Sequence, residues 1–171
     1  MVVPADICED VISNESPDEY VCRLALAKAR SCRMTRNDLN VVLAADTTVS
    51  IDGVILGKPN DEADANAMLM RLSDNIHQVI TGVAVISTLG EDVISVCSEV
   101  SFNKVSPQMC KDYWLSGEPK DKAGGYAIQG LGAVFVKYLQ GSYSSVVGLP
   151  LYETAKLLRK HGIKVWQHET L

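Results

Sequence analysis

Two long runs rich in β-branched residues, His77 to Ser87 and Asp92 to Phe102, constrain the fold of this chain more than any other feature. The turn-like segment Leu89-Gly90-Glu91 separates them, and two such runs joined by a short turn pair most simply as antiparallel strands. The second run alternates as a strand does through Ile94, Val96, Ser98, Val100 and Phe102. We therefore expect a long β-hairpin against which the remaining elements pack.

Helix patterns and strand patterns alternate along the rest of the chain. Ser16-Pro17-Asp18-Glu19 is a capping box with proline at the first helical position, which predicts a helix from about Pro17 to the early thirties. The apolar run Val41 to Ala45 indicates a buried strand that stops at Asp46. The other predicted elements are a hairpin turning at Asp52-Gly53, a helix beginning near Asp61, a short helix from Ser106-Pro107 to about Trp114, a strand from about Ala133 to Leu139, a helix from Leu151 to Lys160 and a terminal strand from Ile163 to Trp166.

These elements predict an α/β fold in which helices flank a mixed, twisted sheet. The chain has 171 residues, which is the usual length of one domain with one hydrophobic core. No repeat, low-complexity tract or long linker divides it. We therefore expect a single domain spanning residues 1–171.

The charge and the cysteine content exclude several classes of protein. The net charge is -5 and the isoelectric point is near 5.2, whereas binding a nucleic-acid polymer requires a basic face. The five cysteines follow neither a CxxC pattern nor Cys/His ligand spacing, which argues against a disulfide framework and a zinc site. No apolar run approaches the roughly 18 residues of a membrane span, and residues 1–6 lack the pattern of a signal peptide. We expect a reduced, cytoplasmic protein.

Lys28, Asp46 and Lys58 could each carry chemistry, although each also has an ordinary structural explanation. Asp46, after a buried run, could bind a metal or activate water, but an aspartate there also often caps a turn, and Thr47 shares that ambiguity. Lys28 falls on the apolar stripe of the first helix, where an ammonium snorkels to solvent, pairs with an acid or meets an anion in a cleft, and snorkelling is the commonest outcome near a helix end. Lys58 precedes Pro59 and by itself is a loop lysine. Together, two cations and a carboxylate with a divalent metal are what cleavage of a phosphoanhydride requires.

Five segments taken together resemble the Maf family of nucleoside triphosphate pyrophosphatases. They are "SPDEYVCRLALAKA", "AADTTVSIDGVILGKP", "HQVITGVAV", "GEPKDKAGGYAIQG" and "GSYSSVVGLPLYET", and they occur in the family's order over almost the whole chain. The resemblance implies an elongated, two-lobed α/β fold with a central nucleotide cleft. It also implies hydrolysis of a nucleoside triphosphate to the monophosphate and pyrophosphate, with Mg²⁺ or Mn²⁺ as cofactor, and a homodimer.

The resemblance also assigns roles to the charged residues. Asp46 matches the family's catalytic acidic residue, Lys28 the lysine of its "KA" motif and Lys58 the lysine of its "KP" motif. "DICED" resembles the short acidic motif of the family, which makes Glu9 a second metal-associated carboxylate beside Asp46. As an isolated acid, Glu9 would more often be solvated surface.

Substrate binding is assigned by the same resemblance to Thr47, Thr81 and Gln129. Gln129 can offer both a donor and an acceptor to a base, and Gly124 and Gly125 would let the backbone approach a flat ring, although a glycine-rich connection is the simpler explanation. The form "YAIQG" resembles the subgroup acting on dTTP and UTP rather than the subgroup acting on 7-methyl-GTP. We therefore expect a pyrimidine substrate.

The chain departs from the family pattern at its start, because Met1 follows the point at which family members carry a strand and an arginine-containing "LASxSPRR" loop. Without these arginines we expect weak activity and association through an exposed sheet edge. The alternative is a non-catalytic nucleotide-binding or protein-interaction module connected with septum formation.

Overall fold

A computed structural model describes residues 1–36 and 40–166. Its helices are α1 (Pro17–Thr35), α2 (Glu62–Leu72), α3 (Pro107–Leu115), α4 (Tyr143–Val147) and α5 (Leu151–Lys160). Its strands are β1 (Val41–Ile51), β2 (Val54–Leu56), β3 (Ile76–Ser87), β4 (Gly90–Phe102) and β5 (Val136–Gln140). Short 3₁₀ turns span Glu118–Asp121, Ala123–Gly125 and Leu131–Phe135. None of the helices in the described ranges is both long enough and apolar enough to cross a bilayer.

The strands form one sheet in the order β2-β1-β3-β4-β5 within the described residues, with helices against it, and this confirms the α/β class. Each neighbouring pair is antiparallel, so the prediction of a mixed sheet was wrong. The pairing of β1 with β3 is antiparallel because the chain, after passing through α2, re-enters the sheet at the end where β1 finishes. Gln78, near the start of β3, therefore pairs with Ser50, near the end of β1, and the two strands run in opposite directions.

Strand β1 is longer than its apolar run predicted. It continues through Asp46 to Ile51 and pairs residue by residue with β3 from Val41 to Ser50. Asp46 therefore lies in the middle of a strand, opposite Gly82, and the expectation that it follows the strand's end was wrong. The ladder continues because Thr48, Val49 and Ser50 are buried and extend the strand beyond the polar Asp46-Thr47 pair.

The last predicted strand, Ile163 to Trp166, is absent from the described part of the chain. Gly162 leaves α5 with a left-handed φ of 79°, and the segment after it pairs with no described strand. Trp166 is 81% exposed, so this segment gains little burial against the sheet. Strand β5 also begins at Val136 rather than near Ala133, because a 3₁₀ turn occupies the preceding residues.

Helix α1 lies across β1 and β3 and buries Tyr20, Val21, Leu24, Ala25 and Ala29. It comes very close to the sheet at Gly82, where a Cβ atom would lie 2.4 Å from the carbonyl oxygen of Val21. Only glycine permits this approach of two backbones. Because Gly82 is paired with Asp46, the helix passes beside the part of β1 that carries the predicted catalytic residue.

A second group of apolar side chains connects the sheet to α2, α3 and the segment that follows α3. It includes Leu69, Leu72, Phe102, Tyr113, Tyr126 and Phe135. Their burial fixes the glycine-rich segment between α3 and β5 next to β1. Gly124, for example, packs against Val49, and its N–H donates to the carbonyl of Gly57 at 2.9 Å.

Candidate functional site

A cavity of about 250 Å³ opens where the middle of β1 meets the glycine-rich segment. We call it the cleft. Its lining comes from β1, Val79 of β3, the loop after β2, residues 121–123 and 126–129, and the end of α4 with Gly148. Four of the predicted site residues, Asp46, Thr47, Lys58 and Gln129, line it together.

Lys28 joins the two predicted metal-associated carboxylates. Its Nζ lies 2.5 Å from Oδ1 of Asp46 and 2.7 Å from Oε1 of Glu9. The Asp46 side chain is 10% exposed, whereas that of Glu9 is 40% exposed. Lys28 therefore pairs with two acids rather than snorkelling to solvent, so the structure selects one of the three alternatives that the sequence left open. Lys28 and Glu9 also line a second cavity, which shares Ala45 with the cleft.

The electrostatics of this cluster distinguish Asp46 from Glu9. Burial raises the pKa of Asp46, and the hydrogen bond from Lys28 offsets burial only in part. The hydrogen bond from Lys28 lowers the pKa of Glu9. Burial acts to lower the pKa of Lys28, but its hydrogen bonds to both carboxylates outweigh burial and raise that pKa. These directions agree physically. The Lys28 ammonium gains two carboxylate partners, which more than offset its loss of water, whereas the more buried carboxylate, Asp46, shares that one ammonium and its loss of water is offset only in part. Asp46 is thus the better proton acceptor of the two acids.

Lys58 supplies positive charge on the cleft side of Asp46. It is exposed, lines the cleft, and lowers the pKa values of both Glu9 and Asp46 through its charge as a minor cause. Among the described residues its ammonium forms no ion pair. An exposed ammonium at the cleft that forms no ion pair there is available to bind an anionic ligand.

Gln129 is exposed at the cleft, and its amide makes no hydrogen bond within residues 1–36 and 40–166. The backbone around it is held on both sides. The Tyr113 hydroxyl accepts from Ala127 N–H at 3.1 Å and donates to Oε1 of Glu118 at 2.6 Å. The two carboxylate oxygens of Glu118 in turn accept from the N–H groups of Leu131 and Gly132 at 2.9 and 3.0 Å. The side chain of Gln129 is therefore free, while its backbone is fixed.

Sequence reasoning missed Glu118, Tyr113 and His77 as supports of the cleft. Glu118 is the second residue of the glycine-rich segment GEPKDKAGGYAIQG, and that position is the one signal that could have drawn attention to it. The predicted reason for Gly124 also needs correction. A Cβ atom there would lie 2.9 Å from the side chain of Val49, so this glycine permits packing of the segment against β1 rather than approach to a ligand.

Thr81 lies behind Thr47 and is fully buried, at 0% exposure. The hydroxyl oxygens of the two threonines are 2.8 Å apart, and Thr81 Oγ1 also donates to the carbonyl of Ser145 at 2.7 Å. Thr81 thus contacts Thr47 and helix α4, whereas Thr47 itself lines the cleft.

His77 supports the cleft through Tyr126, a lining residue. The ring of His77 is 1% exposed, and its Nε2 lies 2.7 Å from the hydroxyl oxygen of Tyr126. The imidazole ring also packs edge to face against the rings of Phe102 and Tyr126. Burial lowers the pKa of His77 to about 4.

The buried histidine should make the fold sensitive to mild acid. Unfolded His77 binds a proton near pH 6.5 and folded His77 only near pH 4, so its contribution to stability is complete above pH 6.5 and is lost as the pH falls toward 4. We expect the free energy of unfolding to fall by about 2 kcal/mol more between pH 7 and pH 5 in the wild type than in His77→Gln. Urea denaturation at the two pH values measures this. Equal losses in both proteins would contradict the assignment.

Comparison with known proteins places the site in a family context. A family model described as Maf-like protein matches residues 1–161, which include each site residue named above. A protein of Hahella chejuensis named dTTP/UTP pyrophosphatase is 51% identical over 167 residues, or 96% of this chain and 83% of that protein. Proteins with the same name from Methylobacillus flagellatus and Vibrio vulnificus are 47% and 48% identical, over 96% and 93% of this chain and 83% and 86% of theirs.

Proposed function

The chain belongs to the Maf family, and on that premise we propose that it is a dTTP/UTP pyrophosphatase. The reaction hydrolyses the bond between the α and β phosphates and releases the nucleoside monophosphate and pyrophosphate. The observation that carries this proposal is the position of Asp46, which faces the cleft with Lys58 and Gln129 and is bonded to Lys28 on its other side. Within residues 1–36 and 40–166, no contact favours the non-catalytic alternative.

The geometry supports a division of the cleft into a base-reading part and a phosphate part. Thr47 and Gln129 supply neutral polar groups to the cleft, whereas Asp46 and Lys58 supply charges, and Lys28 bonds to Asp46 from the adjoining cavity. In the proposed reaction, Asp46 accepts the proton of the attacking water, for which its raised pKa suits it. Lys28 orients the Asp46 carboxylate, and Lys58 offsets the negative charge of the phosphate oxygens.

A divalent cation is part of the proposal, and the donor set fits one. Glu9 and Asp46 are oxygen donors bonded to the same ammonium, and Mg²⁺ commonly binds one or two carboxylates together with substrate phosphates. The described residues contain no group of three or more acidic, histidine or cysteine side chains that could hold a metal alone, so water and substrate phosphates would complete the coordination. When bound, Mg²⁺ or Mn²⁺ would neutralise phosphate charge and lower the pKa of a bound water.

The product distinguishes this function from other phosphatase activities. With dTTP or UTP and Mg²⁺, we expect pyrophosphate as the first inorganic product, and removal of the metal with a chelator should abolish its release. Chromatography of the nucleotides and a pyrophosphate-specific assay measure both products. Orthophosphate with a nucleoside diphosphate would contradict the proposal, and binding of dTTP without turnover would favour the non-catalytic alternative.

Base preference should depend on Gln129. Its free amide can pair with a pyrimidine edge, and the wrong base leaves polar groups unsatisfied. We expect Gln129→Ala to flatten the preference among dTTP, UTP, GTP and ATP by about tenfold, measured as ratios of kcat/KM. Gln140→Ala, an exposed glutamine on β5, is the matched control. Unchanged ratios in Gln129→Ala would place base reading elsewhere.

A cytoplasmic location and a homodimer also belong to this proposal. All five cysteines are free, which suits a reducing compartment. Family resemblance is the sole support for the homodimer, which analytical ultracentrifugation would test.

A further inference from the structure

Glu118 closes a loop that forms one wall of the cleft. Its carboxylate accepts from the N–H groups of Leu131 and Gly132, which lie thirteen and fourteen positions later in the chain. Between these points, residues 121–123 and 126–129 line the cleft. A compact loop whose ends are joined in this way is an Ω-loop, and we use that name for residues 118–132. One carboxylate therefore joins the beginning of the cleft wall to its end.

The hydroxyl of Tyr113 holds the middle of the Ω-loop. It donates to Oε1 of Glu118 at 2.6 Å and accepts from the N–H of Ala127, two positions before Gln129, at 3.1 Å. Tyr113 is 6% exposed, and its ring packs edge to face against that of Phe135, so the hydroxyl is fixed from the core. The backbone that carries Gln129 is thus tied through Tyr113 to helix α3.

Two glycines leave room for these contacts. A Cβ atom at Gly130 would overlap the carboxylate of Glu118, and one at Gly132 would lie 2.7 Å from the hydroxyl oxygen of Tyr113. Neither glycine has a left-handed φ. The space left by the missing side chain, rather than backbone freedom, therefore accounts for glycine at both positions.

The charge of Glu118 suits it to close the loop. Burial acts to raise the pKa of Glu118, but the hydrogen bonds from Tyr113, Gly132 and Leu131 outweigh burial and lower that pKa. An ionised carboxylate accepts on both oxygens, and its hydrogen bonds are stronger than those of a neutral group. Glu118→Gln cannot reproduce this arrangement, because the amide NH₂ can only donate and would face at least one of the three donors.

We propose that Glu118 is a positioning residue of the reaction, which closes the Ω-loop and so holds the cleft wall in its binding shape before the nucleotide arrives. Neither Glu118 nor Tyr113 lines the cleft, so both act through the loop rather than on the substrate. Lys28 and Asp46 lie on α1 and β1, outside the Ω-loop. Loss of the closure should therefore weaken nucleotide binding, because a loop that must be ordered during binding costs affinity, and leave the chemical step intact. This inference rests on the proposed function, because it concerns the same cleft.

Steady-state kinetics of Glu118→Gln with dTTP and Mg²⁺ test the proposal. We expect KM to rise about tenfold, the scale of losing a hydrogen bond to a charged group, while kcat stays within about twofold of the wild-type value. In the double variant with Gln129→Ala, KM should rise by less than the product of the two single effects, because both changes act through the same wall. Glu99→Gln, at an exposed glutamate of β4, is the matched control and should change neither constant.

The outcomes separate this inference from the function on which it rests. An active wild type together with an unchanged KM in Glu118→Gln overturns the inference alone. A lower kcat at unchanged KM does the same, because that is the effect of a smaller folded fraction, and so does a double variant whose KM equals the product of the single effects. Absence of pyrophosphate release from dTTP by the wild type overturns both.

Tyr113→Phe tests the same point if Glu118→Gln fails to fold. It keeps the ring in the core and removes only the hydroxyl that ties Ala127 to Glu118. We expect KM to rise by about threefold or more at an unchanged kcat, the scale of losing a neutral hydrogen bond. A wild-type KM in Tyr113→Phe would overturn the inference.

Discussion

Asp46→Asn should lower the turnover of dTTP and UTP by at least about a hundredfold, the usual scale for loss of an acid-base group. Asparagine has nearly the same shape and can still accept a hydrogen bond from Lys28, but it cannot take a proton from water. Nucleotide affinity should change little, because Lys28, Lys58 and Gln129 remain. Steady-state kinetics and nucleotide titration measure the two quantities.

Stability separates a catalytic role of Asp46 from a structural one. Burial raises the pKa of this carboxyl, so its charge is held in the folded state at a cost. The neutral variant should therefore unfold at the same temperature as the wild type or at a higher one. Asp112→Asn, at an exposed aspartate of α3, is the matched control and should change neither turnover nor stability. Turnover near the wild-type value in Asp46→Asn would remove this residue from the mechanism.

Among substitutions that add a single methyl group near the site, Gly82→Ala should lower the stability of the fold most. The new Cβ would lie 2.4 Å from Val21 O, 2.6 Å from Val21 C and 2.9 Å from Cys22 N, and backbone atoms cannot rotate away as a side chain can. Helix α1 would have to move off the sheet, and Lys28 with it. We expect a loss of about 3 kcal/mol in the free energy of unfolding, at the upper end of the usual cost of overpacking, together with reduced activity.

Gly57→Ala provides the matched control for stability, because an added Cβ there meets nothing within 4 Å. Replacing glycine at such a position commonly stabilises a protein by about 0.4–1 kcal/mol through the unfolded state. Urea denaturation of both variants compares them directly. Equal stability of Gly82→Ala and the wild type would show that α1 does not depend on this close approach.

Local signals predicted the elements whose causes are local. The capping box at Ser16 predicted the start of α1, and the structure contains both of its reciprocal hydrogen bonds. The paired runs around Gly90 predicted the hairpin of β3 and β4, because strand pairing across a short turn needs no distant partner. The structure also brings the charged residues that the motifs singled out into one region of the molecule, although their roles stay predictions.

Non-local contacts explain what the sequence could not predict. Asp46-Thr47 looked like the end of a strand, because the β3 residues that pair with Thr48, Val49 and Ser50 and continue the ladder lie about thirty positions later. The contact between Gly82 and Val21 joins two elements far apart in sequence, so nothing around Gly82 indicated that its missing side chain makes room for a helix. Similarly, Thr81 joins Thr47 to the carbonyl of Ser145, and no local pattern connects these three residues.

The most direct measurement of the central claim is the fate of the water oxygen during hydrolysis of dTTP by the wild-type protein with Mg²⁺ in H₂¹⁸O. Attack of water on the α-phosphorus forms a new P–O bond there, and the oxygen bridging the α and β phosphates leaves with pyrophosphate. Mass spectrometry of the separated products should find one ¹⁸O atom in dTMP and none in pyrophosphate. Label in pyrophosphate with unlabelled dTMP would contradict the account.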